Sequence, residues 1–181
     1  MKYKTENEVF ADIISIIKGF FTSINANDWE VRQGYQPRQE TLQNNTVTLW
    51  RVYSKDIGFQ GEKYLTNNDG QFVLRSEVLK EVSIQIDFFR KRKNTDTVNT
   101  LNAIDYANML KIYLSNSNGI SKFTQKEYGI LRITNFREPK KITPSDLYEN
   151  FPSFDLQLRF WQYVDTPQEY IKNTNYIFDR V

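Results

Sequence analysis

Two stretches of strict alternation constrain this chain more than anything else in it. Val82, Ile84, Ile86 and Phe88 alternate with Ser83, Gln85, Asp87 and Phe89, and Phe154, Leu156, Leu158 and Phe160 alternate with Asp155, Gln157, Arg159 and Trp161. A period of two is the signature of a strand with one face on a core and the other turned away. Pro152 lacks an amide proton and so suits the start of the second strand, not its middle. Two such strands of equal length predict one antiparallel sheet, with the rest of the chain fitted to its apolar side.

The remaining elements follow in order. Thr5 and Glu8 are spaced as a capping box, in which each side chain satisfies the other's backbone amide. The apolar positions behind them (Val9, Phe10, Ile13, Ile14, Ile16, Ile17, Phe20, Phe21, Ile24) recur at helical spacing and form a stripe wide enough for a helix lying across a sheet. Only Lys18 brings a cation to its polar face, so a core helix is favoured over a membrane-surface helix. Asn25, Asn27 and Asp28 end it. Residues 29–45 lack periodicity and read as a long loop, and residues 46–53 are β-branched and aromatic and read as a strand. Between residues 55 and 79, Asn67-Asn68-Asp69-Gly70 separates two strand-like pieces and predicts a hairpin arm inserted between sheet strands, serving as a partner-binding extension or as a covering loop.

A second helix is expected over residues 97–115. Ala103, Tyr106, Ala107, Leu110, Tyr113 and Leu114 face inward there, and Asn118-Gly119 supplies a left-handed stop. Met109 and Ile112 lie off that stripe, either as ordinary surface apolars or as the edge of a subunit contact. Residues 129–136 read as another strand. Thr166-Pro167-Gln168-Glu169 is a second capping box that predicts a short terminal helix to about residue 173. Tyr176, Ile177 and Phe178 are too apolar to be left in solvent, and so dock on their own domain or reach a neighbour. The expectation is one α+β domain over residues 1–181. It has an antiparallel or mixed sheet of about four main strands, two amphipathic helices on one face, the hairpin arm at 55–79 and a C-terminal extension at 162–181.

What the chain lacks limits its chemistry. It has no cysteine and no histidine, which removes disulfides, thiolate metal sites, cysteine nucleophiles, the commonest general base and most transition-metal sites. Its 24 basic and 22 acidic residues leave a net charge of +2, with no overall pull toward nucleic acid or membrane. Neither a signal peptide nor a membrane span is visible, so a soluble protein made in the cytoplasm is expected. Glycine-rich phosphate loops and calcium-loop spacing are missing. Asp87 and Asp155 could face each other on the outer sheet surface, but a solvated or interface-polar face is favoured there over a catalytic carboxylate pair. The run Arg90, Lys91, Arg92, Lys93 is read as a solvated turn, with phosphate contact as the alternative. No enzyme activity, metal or cofactor is expected.

The stretches Gly129-Ile130-Leu131-Arg132-Ile133-Thr134-Asn135-Phe136-Arg137 and Pro152-Ser153-Phe154-Asp155-Leu156, together with the amphipathic first helix and the arm, resemble the neck and tail-terminator proteins of tailed bacteriophages, the tail-completion or minor tail protein U-like family. The resemblance spans roughly residues 8–161. It implies a virion structural protein that forms a homo-oligomeric ring, a hexamer in the usual case, which caps the tail tube and joins it to the neck or connector. The implied partners are further copies of itself, the tail tube protein, the neck or connector protein and the tail sheath, with DNA passing through without sequence specificity and no membrane. A head-tail connector or stopper, or a nucleic-acid-binding module built on residues 90–93, are the alternatives. Aromatics and arginines favour interfaces. Trp50, Phe59, Lys63, Arg75, Phe89, Met109, Ile112, Arg159 and Trp161 are therefore the interface candidates.

Overall fold

The computed structural model describes residues 4–34, 45–90, 97, 100–134, 136–137, 140–142 and 148–168. Three helices cover one face of a five-stranded mixed sheet, so the α+β architecture expected from the sequence is present. The elements are α1 (Glu6–Ser23), β1 (Trp29–Gln33), β2 (Asn45–Thr66), β3 (Phe72–Phe89), α2 (Ala103–Ser115), α3 (Ser117–Gln125), β4 (Gly129–Ile133), β5 (Lys140–Ile142), β6 (Tyr148–Asn150) and β7 (Ser153–Pro167). The main sheet runs β1-β2-β3-β7-β4, and β5 and β6 form a separate pair.

The two alternating stretches are neighbours. Val82 pairs with Leu158, Ile84 with Leu156 and Ile86 with Phe154 in antiparallel register. All six are buried, as are Phe88 and Phe160, and the interleaved residues turn to the opposite face. Complete burial of one such side chain stabilises the fold by roughly 1.5–3 kcal/mol, so this double row is the floor of the core. The helices form the roof. Thr5 and Glu8 make the reciprocal capping box, and Val9, Phe10, Ile13, Ile16, Ile17, Phe20 and Phe21 of α1 are buried. Asn25 adopts φ +56° just after the helix, a conformation asparagine tolerates better than most residues. The Phe21 ring stacks on Trp29 at 5.0 Å, and Trp29 in turn meets Phe88 and Tyr106. On α2, Ala103, Ala107, Leu110 and Leu114 face the core, as the spacing predicted.

Several local expectations fail, each for a tertiary reason. Residues 29–33 are not loop: β1 pairs in parallel with the first five residues of β2, which makes the sheet mixed. The second helix begins at Ala103, not at 97, because Asn102 and Asp105 form its capping box. Asn118-Gly119 does not stop it. Asn116 both ends α2 and caps α3, and Gly119 lies within α3. Gly119 is needed for close approach: a Cβ there would stand 2.2 Å from the Tyr113 carbonyl oxygen. Thr166 and Pro167 belong to β7, and the amide of Gln168 donates to the Phe72 carbonyl at 3.0 Å. The free edge of β3 thus captures a segment whose local pattern favours a helix cap. The rest of that predicted helix and the 176–178 tail lie outside the described residues. The strand expected over 129–136 ends at Ile133.

Candidate assembly surface

The predicted arm is real but is not an insertion. Beyond Leu49, β2 continues for another seventeen residues, and β3 returns the whole distance; the intervening turn is closed by Gly70 at φ +76° and by the Asn67 side chain, which accepts from the amides of Asp69 and Gln71. The third strand of the arm is the end of β7, from Trp161 to Pro167, paired with Leu79 to Val73. Among the described residues, the main hydrophobic core takes none from 50–81 and none beyond Phe160. Three strands therefore leave the helix-covered body together as a ribbon, in which Val73 is the one described apolar side chain that is fully buried.

Rows of facing residues cross the ribbon's outer face. In the first, Glu81 is the hub. It accepts from Tyr53 Oη at 2.8 Å and is paired with Lys55 at 3.1 Å and with Arg159 at 3.2 Å. The hydrogen bonds from Tyr53 and Lys55 hold the Glu81 carboxyl below the usual range, and the same contact pushes the Tyr53 phenol up. The next row is apolar, with Ile57 opposite Leu79 and Leu79 opposite Trp161. Beyond it Lys63 reaches Glu77 at 2.8 Å. Arg75 grips Asp165 with two parallel bonds of 2.7 and 2.8 Å and stacks on the Tyr163 ring at 3.8 Å. That fork holds the Asp165 carboxyl low and the Arg75 guanidinium high.

Closer to the body, Asp87 and Asp155 are diagonal neighbours on the outer face, not opposite one another: Asp155 pairs with Gln85 and Asp87 with Ser153. Arg137 bonds both Asp155 and Gln85. Burial raises the Asp87 carboxyl, against hydrogen bonds from Gln85 and Trp50 that lower it. A carboxylate already committed to an arginine makes a structural contact.

The interface candidates separate into three groups. Phe59 (99% exposed) and Trp161 (55%) stand out from the arm, and Ile112 (68%) stands out from α2. Lys63 and Arg75 lie on the arm and Arg159 at its base, in the intramolecular pairs already described. Trp50, Phe89 and Met109 pack within the chain. The Trp50 ring lies where a Cβ on Gly34 would stand, Phe89 stacks on Phe151 at 5.4 Å, and Met109 packs against the core. Arg90 follows the last residue of β3 and is half-buried, and Lys91, Arg92 and Lys93 lie outside the described residues. Glu81 and Arg137 were not singled out from sequence. Pairing Val82 with Leu158 places Glu81 opposite Arg159, so register was the signal that would have found it. Among the described residues no helix is long and apolar enough to cross a membrane, and no cluster of acidic side chains is arranged to hold a metal ion.

The described residues thus form a sheet roofed on one side and prolonged beyond its core into a three-stranded ribbon laced by intramolecular ion pairs. The family follows from comparison. A family model built on the phage E217 gateway protein gp29 matches residues 8–169, and the chain belongs to that family. Among solved structures, the extended-state sheath/tube terminator of an extracellular contractile injection system, PVC, shares the fold, with a TM-score of 0.51 at 9% identity. That similarity covers all of this chain and 64% of the terminator, so the chain spans less than two thirds of that protein's length. No curated protein matches the chain in sequence. The resemblance to phage tail-terminator proteins is borne out at the level of family and fold.

Proposed function

We propose that the chain is a tail-terminator subunit of a phage virion, forming a homomeric ring, six-fold in the simplest case, that caps the tail tube and meets the neck connector above it. The ribbon carries this reading. A monomer has no use for three strands that leave the core and hold Phe59 and Trp161 in solvent, whereas a ring subunit needs such an arm to clasp its neighbour. The fold shared with a sheath/tube terminator supports the tube and the sheath as the contacts of the ring's other face. The role needs neither catalysis nor a cofactor.

Light scattering coupled to size-exclusion chromatography, with and without tail tube protein, tests the ring. The expected result is a closed oligomer, formed alone or on tube ends, and tubes that carry a terminal disc in electron micrographs. A chain that stays monomeric and never caps a tube removes the reading. The connector or stopper alternative differs only in which neighbours the ring meets, and cross-link mapping in purified particles separates the two.

A further inference from the structure

Two exposed apolar features lie on different parts of the chain. Phe59 sits at the irregularity between Ile57 and Gly61, where Gly58 takes φ +77°, and it is 99% exposed, so no described residue covers it. At the junction of α2 and α3 lies an open, largely apolar cleft of about 530 Å³, lined by Asn108, Lys111, Ile112, Ser115 and Asn116. Ile112 forms its exposed wall.

Charge matches the two. From residue 55 to 80 the arm carries the carboxylates Asp56, Glu62, Asp69 and Glu77 and the cations Lys55, Lys63, Arg75 and Lys80, so the match rests on single side chains. Asp56 is paired with Lys80 and Glu77 with Lys63, whereas Glu62 receives only a long bond from Ser76 at 3.4 Å. The helices from 103 to 125 carry Lys111 and Lys122 against Asp105, which is occupied in capping α2. Lys111 lies 5.0 Å from the centre of the Phe136 ring, at the edge of the cleft. An arm that offers an aromatic knob and the loosely held Glu62 thus complements a basic helix pair with an open cleft beside Ile112, and both belong to one chain.

We infer that Phe59 of one copy seats in the cleft beside Ile112 of the next copy, with Glu62 pairing with that copy's Lys111. The inference rests on the ring reading and deepens it. Knob and hole are different surfaces, so the contact can run head-to-tail around a ring, whereas a two-fold dimer would exchange knob and hole reciprocally and stop at two copies.

The chain has no native cysteine, so introduced thiols report without background. Phe59→Cys and Ile112→Cys variants, mixed in equal amounts and oxidised, are expected to give a disulfide dimer of unlike chains. The double variant is expected to give a ladder ending at the ring size. Phe59→Ala should weaken self-association about 30-fold, as for a central interface aromatic, with an unchanged melting curve. Glu62→Lys and Lys111→Glu should each weaken association, and together restore it.

A dimer formed as readily by Phe59→Cys alone overturns the pairing in favour of arm against arm. An internal disulfide in the double variant, or a cross-link to tube protein in place of a second copy, overturns it too. A ring seen by light scattering without the mixed cross-link overturns the pairing and leaves the ring standing. Monomers that never cross-link at any concentration, with or without tube, overturn both.

Discussion

The same three strands, β2, β3 and β7, build two regions held by different forces. Under the helices, alternate residues such as Leu49, Ile84 and Leu156 are fully buried, and apolar burial holds the layer. Beyond Leu49 and Phe160 the backbone ladder continues in unbroken pairing with β7, yet apart from buried Val73 the described side chains there are held mainly by cross-strand pairs, which contribute roughly 0.2–1 kcal/mol each. A ribbon with so little buried apolar surface is marginal alone, so the arm takes its order from the body it grows out of. One region stabilises the molecule; the other is presented by it.

The comparison breaks first at the core. Leu158→Asp should abolish soluble folding, because a carboxylate without a partner would enter a fully buried row. Leu158→Ala should cost about 3 kcal/mol in urea denaturation. A soluble, cooperatively folding Leu158→Asp protein would show that the row does not bear on stability. The arm should behave in the opposite way. Excising residues 61–71 and closing the hairpin with a short turn should leave the body folded, with its melting point within a few degrees, while assembly on tubes is lost. Unfolding on that deletion would make the ribbon part of the core.

Smaller effects sharpen the contrast within the arm. Arg75→Ala removes a two-pronged, partly shielded pair with Asp165 and a ring stack, and should cost about 1 kcal/mol by chemical denaturation. Amide exchange should rise at 161–167 and not at 154–158. The smallest effect is on pH dependence. The Glu81 carboxyl is held lower in the folded chain than in the unfolded one. Its contribution is therefore complete above the unfolded value, about pH 4.3 for glutamate, and is lost as pH falls from there through the folded value. Glu81→Gln should flatten the stability profile in that acid window, as read from melting points between pH 3 and 6. An unchanged slope would show that the hub's ion pairs do not couple to folding.

Much of the body was legible in the chain because its signals are local. Period-two alternation at 82–88 and 154–160, the Thr5–Glu8 capping box, the α1 stripe and the Asn67–Gly70 turn each depend on residues within a few positions of one another. The candidate surface was legible only in part. Phe59, Trp161 and Ile112 could be picked as aromatic or misplaced apolar residues, whereas Trp50 and Phe89 look the same in sequence and pack inside the chain.

By itself, then, the sequence determined which segments would be helix or strand where one face had to meet a core, and it excluded thiol and imidazole chemistry outright. Tertiary structure alone decided the rest, because backbone hydrogen-bond partners in a sheet come from far along the chain. The edge of β2 turned residues 29–33 into a parallel strand, and the edge of β3 drew Thr166 and Pro167 out of a helix cap and into the arm. Register placed Glu81 between Lys55 and Arg159. No local pattern carries those distances, and they are what turn two long strands into a ribbon that stands clear of its own core.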